Sequence, residues 1–344
     1  MMDMLTQFRV LKRILNFEKK RSGRNRLSLL KMFVYQYYRH GVGPAEFITV
    51  GYAFLDKKDR DDYLSIREMV RLSHALNKQG IDDKWRAYQK LKPYYGRDMV
   101  HLKCSTPEEV TRFLQKHPSF FAKATDAFGG KGVERITLHS EQDKAAILDR
   151  LMAKRQYLLE EAIRPHALLQ SLSPHAVSTL RFVSFLGHNG EVRFLPVIMR
   201  CSLGERHVDN LCAGGAYVLV GPDGKIAFPC FIQQYVLTDC TASLDDFLLE
   251  RHPLTDLQPM GLEIPYFHEA RAMVEKLARQ CPEAPVLGWD IAIAEKGPVV
   301  VEINSSPGCE ISCDHYFKAI YKQKSMGFRR MLEAFWDREI PAYR

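Results

Sequence analysis

Gly288-Trp289-Asp290-Ile291-Ala292-Ile293-Ala294-Glu295-Lys296-Gly297-Pro298-Val299-Val300-Val301-Glu302-Ile303-Asn304 reads as a β-hairpin with acids toward its open end. Two apolar runs flank a turn signal. A three-residue loop Glu295-Lys296-Gly297, with glycine supplying left-handed backbone at its last position, pairs Ala294 with Pro298. Counted back in that register, Asp290 lies opposite Glu302, and Asn304, two residues further along, shares a face with Glu302. Three oxygen donors then converge on one spot. Two carboxylates facing each other across a strand pair repel, so something must offset them. A divalent cation is one solution, since Mg2+ is held by one or two carboxylates together with phosphate oxygens. Solvation on an open face, or an ion pair with Lys or Arg from elsewhere, are the others. The following Ser305-Ser306-Pro307-Gly308 adds a tight polar turn.

Outward from the hairpin, Phe120-Phe121-Ala122-Lys123 reads as a buried strand ending in a lysine. A loop containing Gly129, Gly130, Lys131 and Gly132 follows. Three glycines in four residues let backbone N–H groups approach a phosphate, and Lys131 adds a cation, although a plain hairpin turn accounts for the same residues. No Ser or Thr follows the lysine, so this is not a Walker A loop. Lys84 opens a helix capped by Asp82 or Asp83, where a solvated lysine is the default reading.

Apolar periodicity predicts helices over 4–17, 27–38, 65–76 and 82–91, with a break at Gly41-Val42-Gly43-Pro44. From Phe120 onward short β-like runs alternate with helices, joined at Asn189-Gly190, Pro222-Asp223-Gly224 and Lys296-Gly297. The fold class is α+β with largely antiparallel sheets, which argues against Rossmann and P-loop architectures.

Composition is that of an ordinary globular chain, 46% hydrophobic and 26% charged over 344 residues. The net charge of +8 is uneven: the first forty residues hold ten basic side chains and two acidic ones, and the remaining 304 are balanced. A basic arm on a neutral body is not a nucleic-acid-binding domain, so no nucleic-acid partner is expected. No run reaches eighteen apolar residues, and the start lacks the long apolar core of a signal peptide, so a cytoplasmic location is expected. Eight scattered cysteines without a C-x-x-C pair read as reduced thiols.

Taken in order, these segments resemble an ATP-grasp enzyme: Asp83-Lys84 on a helix, Lys123 before the glycine flap, a hinge Leu158-Leu159-Glu160-Glu161-Ala162-Ile163, Thr179-Leu180-Arg181, Arg200 ending a strand, Asp209-Asn210, and the closing Asp290 with Glu302-Ile303-Asn304. Glu302-Ile303-Asn304-Ser305-Ser306-Pro307-Gly308 is similar to the ending of the α-glutamate ligase branch. Tyr38 to Pro44, Leu64-Ser65 and Leu76-Asn77 look like the sugar-transfer-associated group, linked to bacterial surface-polysaccharide assembly. The resemblance implies two α+β lobes clamping ATP behind a mostly helical N-terminal region. Its divisions fall at 1–40 (a basic, partly amphipathic arm), 41–95, 96–163 (small lobe with flap and hinge), 164–330 (lobe with the metal site) and 331–344.

The same resemblance implies roles. Lys84 and Lys123 contact the α- and β-phosphates, the backbone of Glu160, Glu161, Ala162 and Ile163 holds the adenine edge, and Gly129 to Gly132 close over the phosphates, with Asn210 also on the nucleotide side. Asp290, Glu302 and Asn304 hold one or two Mg2+ ions, for which Mn2+ is the substitute. If Asn189-Gly190 is a two-residue turn, Arg200 opposes Thr179 and lies diagonal to Arg181, placing both guanidinium groups on one face toward a transferring phosphoryl group or acyl phosphate. Their other role is an ion pair with Asp290 or Glu302. One departure stands out: where relatives carry a ribose-binding acid, this chain reads Arg164-Pro165-His166-Ala167. The implied activity is a carboxylate-amine ligase acting through an acyl phosphate on small-molecule or glycan-linked substrates, with a hydroxyl kinase and a nucleotide-dependent scaffold as alternatives. The basic arm is expected on the anionic inner leaflet of a membrane or, failing that, packed on the body.

Overall fold

Caps written in the sequence delimit the N-terminal helices. The structure, a computed structural model, describes residues 4–78, 81, 83–124, 132–204, 215–233, 236, 244–307, 328–337 and 340. Helix α1 (Met4–Ser22) packs on α2 (Arg26–His40), which Asn25 caps by accepting from the Ser28 N–H at 2.8 Å. After α3 (Pro44–Val50) and α4 (Lys57–Asp61), helix α5 (Ile66–Leu76) opens in a capping box: Ser65 Oγ accepts from the Glu68 N–H at 3.1 Å and Glu68 Oε2 from the Ser65 N–H at 3.0 Å. Asp83 caps α6 (Lys84–Leu91), while Asp82 lies outside the described residues.

The expected bilayer face of α1 is used by the protein itself. Val10, Ile14 and Leu15 are buried, and Val10 and Ile14 join Phe33 of α2 in the core. Burying an apolar stripe on the body stabilises the helix where it lies, so α1 packs inward; the Leu5 side chain lies outside the described part. A buried polar cluster then ties this region to the helix Arg329–Trp336: Glu68 holds His40 Nδ1 at 3.0 Å and Arg329 Nη2 at 2.6 Å.

Among the described residues the strands form two antiparallel sheets, as the α+β reading expects. Four of them, β1 (Met99–His101), β2 (Ser119–Lys123), β3 (Glu134–Thr137) and β4 (Leu158–Glu161), run in the order β1-β4-β2-β3. Helices α7 (Pro107–Lys116) and α8 (Glu141–Ala153) cover them through Phe113, Leu114 and Leu151. After α9 (Ala167–Leu172) come β5 (Thr179–Leu186), β6 (Val192–Phe194), β7 (Val197–Ser202), β8 (Gly215–Val220), β9 (Phe231–Ile232), β10 (Leu248–Leu249), α10 (Phe267–Arg279), β11 (Val286–Ala294) and β12 (Gly297–Asn304). The second sheet runs β10-β9-β8-β7-β5-β11-β12, with β6 beside β5.

This sheet has core on both faces. Leu180, Phe182, Leu287 and Trp289 pack with Val274 and Leu277 of α10, whereas Val183, Phe185 and Val286 pack with the N-terminal helices. Side chains alternate along a strand, so Arg181 shares the face of Val183, and Asp290 that of Val286. The N-terminal helices therefore cover the same face that carries the charged residues.

Both hairpin turns differ from the reading, yet the strands keep their expected facing. Ala294 pairs with Gly297 across a two-residue loop, one position short of the predicted partner Pro298. A bulge between Asp290 and Ile291 on one strand, with Val301 as the extra residue on the other, restores the count, and Asp290 stands opposite Glu302. At the second hairpin Leu186 pairs with Val192 around a loop whose Gly190 has φ 81°, and one residue of slip before β7 brings Arg200 opposite Thr179. Burial of whole strand faces sets these registers, and the turns adapt to them.

Candidate active site

The charges foreseen on β5, β7, β11 and β12 meet at one place. Asp290 pairs with Glu302 on one side and with Arg181 on the other. Arg181 donates from Nε to Oδ1 at 2.6 Å and from Nη2 to Oδ2 at 3.0 Å, a two-pronged bond between side chains 5% and 9% exposed. Arg200 adds Nη1 at 3.5 Å and 3.4 Å from the same two oxygens, and Asn304 donates from Nδ2 to Oδ2 at 3.4 Å. Burial alone would raise the Asp290 carboxyl. The charges of Arg181 and Arg200 outweigh it and hold the group below its usual range, so it is ionised.

Glu302 has a different cation. Lys84 Nζ lies 3.2 Å from its Oε1, placed there by the Asp83 cap, which accepts the Arg86 N–H at 2.9 Å. The repulsion between the two acids is thus relieved by protein cations, the ion-pair alternative of the sequence reading. Gly288, opposite Asn304, keeps this corner open: a Cβ there would stand 2.8 Å from Pro307 Cβ and 3.6 Å from Arg181 Nη1.

A second cluster forms around the hinge strand. Lys123 Nζ lies 3.0 Å from Glu160 Oε2, and Arg97 reaches the same oxygen with Nη2 at 3.0 Å and Nε at 3.3 Å. Burial would raise Glu160, but Lys123 and then Arg97 hold it low. Arg97 also donates from Nη1 to the Val300 carbonyl at 2.6 Å and from Nη2 to that of Val301 at 3.4 Å. It joins the four-stranded sheet to the bulge that brings Glu302 into line. Sequence reasoning passed over Arg97. The available signal was Tyr95-Gly96-Arg97: Gly96 has φ 58°, and a Cβ there would meet Val299 Cγ1 at 2.5 Å.

Of the four residues expected at the adenine edge, Glu160 and Glu161 lie in the sheet, and the Glu161 N–H donates to the Asp98 carbonyl at 2.9 Å. Ala162 and Ile163 follow the end of β4 and lie beyond the ladder. His166 caps α9, its Nδ1 accepting the Leu168 N–H at 3.3 Å. Beside the hinge, His117 Nε2 stands 2.9 Å from Asp98 Oδ2 with Glu161 nearby, and Lys116 pairs with the same Asp98 oxygen at 2.6 Å. Of the flap only Gly132 is described, with φ 72° and its carbonyl accepting from Gln156 Nε2 at 2.8 Å; Gly129, Gly130, Lys131 and Asn210 lie outside the described residues.

The donor set suits the expected ligands. Two carboxylates and an amide oxygen are hard donors of the kind Mg2+ takes together with phosphate oxygens. Three cations on them, Lys84, Arg181 and Arg200, with Lys123 in the second cluster on Glu160, suit a polyphosphate anion.

The sugar-transfer associated ATP-grasp family matches residues 100–314. No curated protein matches the chain. Among solved structures, N5-carboxyaminoimidazole synthetase from Staphylococcus aureus, complexed with ADP, is 13% identical with a TM-score of 0.42, covering 76% of this chain and 59% of that one. D-alanyl-alanine synthetase A from Vibrio cholerae is 12% identical with a TM-score of 0.38, covering 73% and 62%. The biotin carboxylase domain of the Hydrogenobacter thermophilus 2-oxoglutarate carboxylase is 14% identical with a TM-score of 0.40, covering 67% and 41%. The chain thus spans between 41 and 62% of the length of these solved chains. With 215 of its residues inside the matched range, the chain belongs to the sugar-transfer associated ATP-grasp family.

Proposed function

We propose that the protein is an ATP- and Mg2+-dependent ligase that joins a carboxylate to an amine. The observation that carries this reading is the assembly of Asp290, Glu302 and Asn304 with Arg181, Arg200 and Lys84 at one place in the sheet. Lys84 and Lys123 exchange their carboxylate partners for nucleotide phosphates. Asp290, Glu302 and Asn304 hold Mg2+, which neutralises phosphate charge. Arg181 and Arg200 face the transferring group and orient it. A substrate carboxylate oxygen attacks the γ-phosphorus and ADP leaves; an amine nitrogen then attacks the acyl carbon, phosphate leaves, and the amine loses its proton. The lobes in this reading are 96–163 and 164–330. The family's description as sugar-transfer associated supports a sugar-linked substrate; in this reading that substrate is a sugar or uronic acid of surface-polysaccharide assembly, and the enzyme works in the cytoplasm.

Purified protein given ATP, Mg2+ and a panel of amines, amino acids and uronic acids tests the proposal by product mass. An amide, or a hydroxamate when hydroxylamine replaces the amine, is the expected product. Phosphate release with neither mass overturns it, and a phosphorylated hydroxyl product makes the enzyme a kinase.

A further inference from the structure

We propose that the outward face of α2 docks on an anionic lipid bilayer. This helix is apolar on two sides. Leu29 and Phe33 point into the core, whereas Leu27, Leu30, Val34 and Tyr38 are 62%, 36%, 42% and 59% exposed. Their spacing of three, four and four residues makes one stripe, roughly 16 Å long at the helical rise. Single exposed apolar residues are ordinary, but six of the ten large exposed hydrophobics among the described residues lie between 8 and 38.

The charge around the stripe selects the occupant. Between residues 8 and 40 every exposed charged side chain is a Lys or Arg, with Arg26, Lys31 and Arg39 on α2 itself. The one acid there, Glu18, is fully buried against Arg21. The neighbouring Lys57 lies over the Tyr35 ring at 5.5 Å and pairs with Asp61. Two copies of this face set against each other would bring cations together. A nucleic acid would leave the apolar stripe unused. An anionic bilayer answers both features, because headgroup phosphates pair with the cations while the acyl boundary takes Leu27, Leu30 and Val34, with Tyr38 at the headgroup level. No described helix is long and apolar enough to cross a membrane, so the contact is peripheral.

Flotation of the full chain with phosphatidylglycerol-containing vesicles, against pure phosphatidylcholine vesicles, tests this at low and high salt. Binding to the anionic vesicles alone, weakened by salt, is expected. The double variant Leu30→Glu with Val34→Glu should lower partition by about tenfold or more, and Lys31→Ala by about fivefold. Leu27→Ser with Tyr38→Ser provides a second pair at solvent-exposed positions, with ATP turnover as the check on folding. Equal flotation of wild type and both pairs, or none with anionic vesicles at low salt, overturns the proposal. So does a dimer in the ultracentrifuge that these substitutions dissolve, which would assign the stripe to a second copy.

Discussion

Arg181 stands directly across from Asp290 on the neighbouring strand and holds both of its carboxylate oxygens, at 2.6 Å and 3.0 Å. Arg200 reaches the same carboxylate from the next strand. The anions and cations of this cluster are therefore matched within the protein, and the proposed ligands would exchange partners within a formed cluster. Such preorganisation places charge without moving backbone at the moment of reaction.

Replacing Asp290 with Asn leaves Arg181 buried without its carboxylate. We expect a loss of stability of about 3 kcal/mol in urea unfolding at neutral pH, because an uncompensated buried charge remains. Mg2+-dependent ATP turnover should fall by about a hundredfold or more. Unchanged turnover would remove Asp290 from the site.

Arg97→Lys keeps the positive charge but loses the fork that spans Glu160, Val300 and Val301. We expect about 2 kcal/mol of destabilisation and a fall in kcat with little change in the affinity for ADP, since Glu302 loses its alignment while the hinge keeps a cation. Equal kcat in both proteins would confine Arg97 to a packing role.

Saturating ATP with Mg2+ should stabilise the wild-type fold by about 3 kcal/mol at a hundredfold excess over the dissociation constant. Lys84→Ala should lower that gain at the same ligand concentration, because Glu302 then lacks its 3.2 Å partner and the phosphates lack a cation. Thermal unfolding with and without nucleotide measures both. A gain of equal size in the variant would take Lys84 out of the phosphate site.

Burial pushes the Glu18 carboxyl from 4.5 to about 7 despite the opposing charge of Arg21. The folded state then binds this proton more tightly than the unfolded chain, so the associated stability is full below about pH 4.5 and is lost as the pH rises through about 7. Glu18→Gln removes this dependence. Its stability relative to wild type should improve by about 2 kcal/mol between about pH 5 and about pH 8 in urea titrations. A constant difference across that range would contradict the buried assignment.

Local rules made much of this protein legible. Ser65 with Glu68 and Asp83 before Lys84 announce helix starts through caps that act within four residues. The alternation along β11 and β12 placed Asp290, Glu302 and Asn304 on one face, since side-chain direction in a strand depends only on counting. Thr106-Pro107-Glu108-Glu109 carried a capping box as well, unread although it starts α7.

Loop length was read one residue off in both hairpins, and bulges absorbed the error because buried faces hold the register more firmly than turns do. Which cation meets which acid, Arg181 with Asp290 but Lys84 with Glu302, depends on strands and a helix far apart in the chain. The part of Arg97 depends on a bulge two hundred residues away. The basic arm divides for the same reason: periodicity marks α1 and α2 alike as apolar, and only packing decides that α1 turns its stripe inward while α2 keeps one outside. By itself, then, the sequence determined the helix starts and the strand faces, which rest on neighbours in the chain, and the family, which rests on the order of its motifs. The tertiary structure decided the ion pairs, the bulge and its anchor, and the exposed face, because each rests on residues that only folding brings into contact.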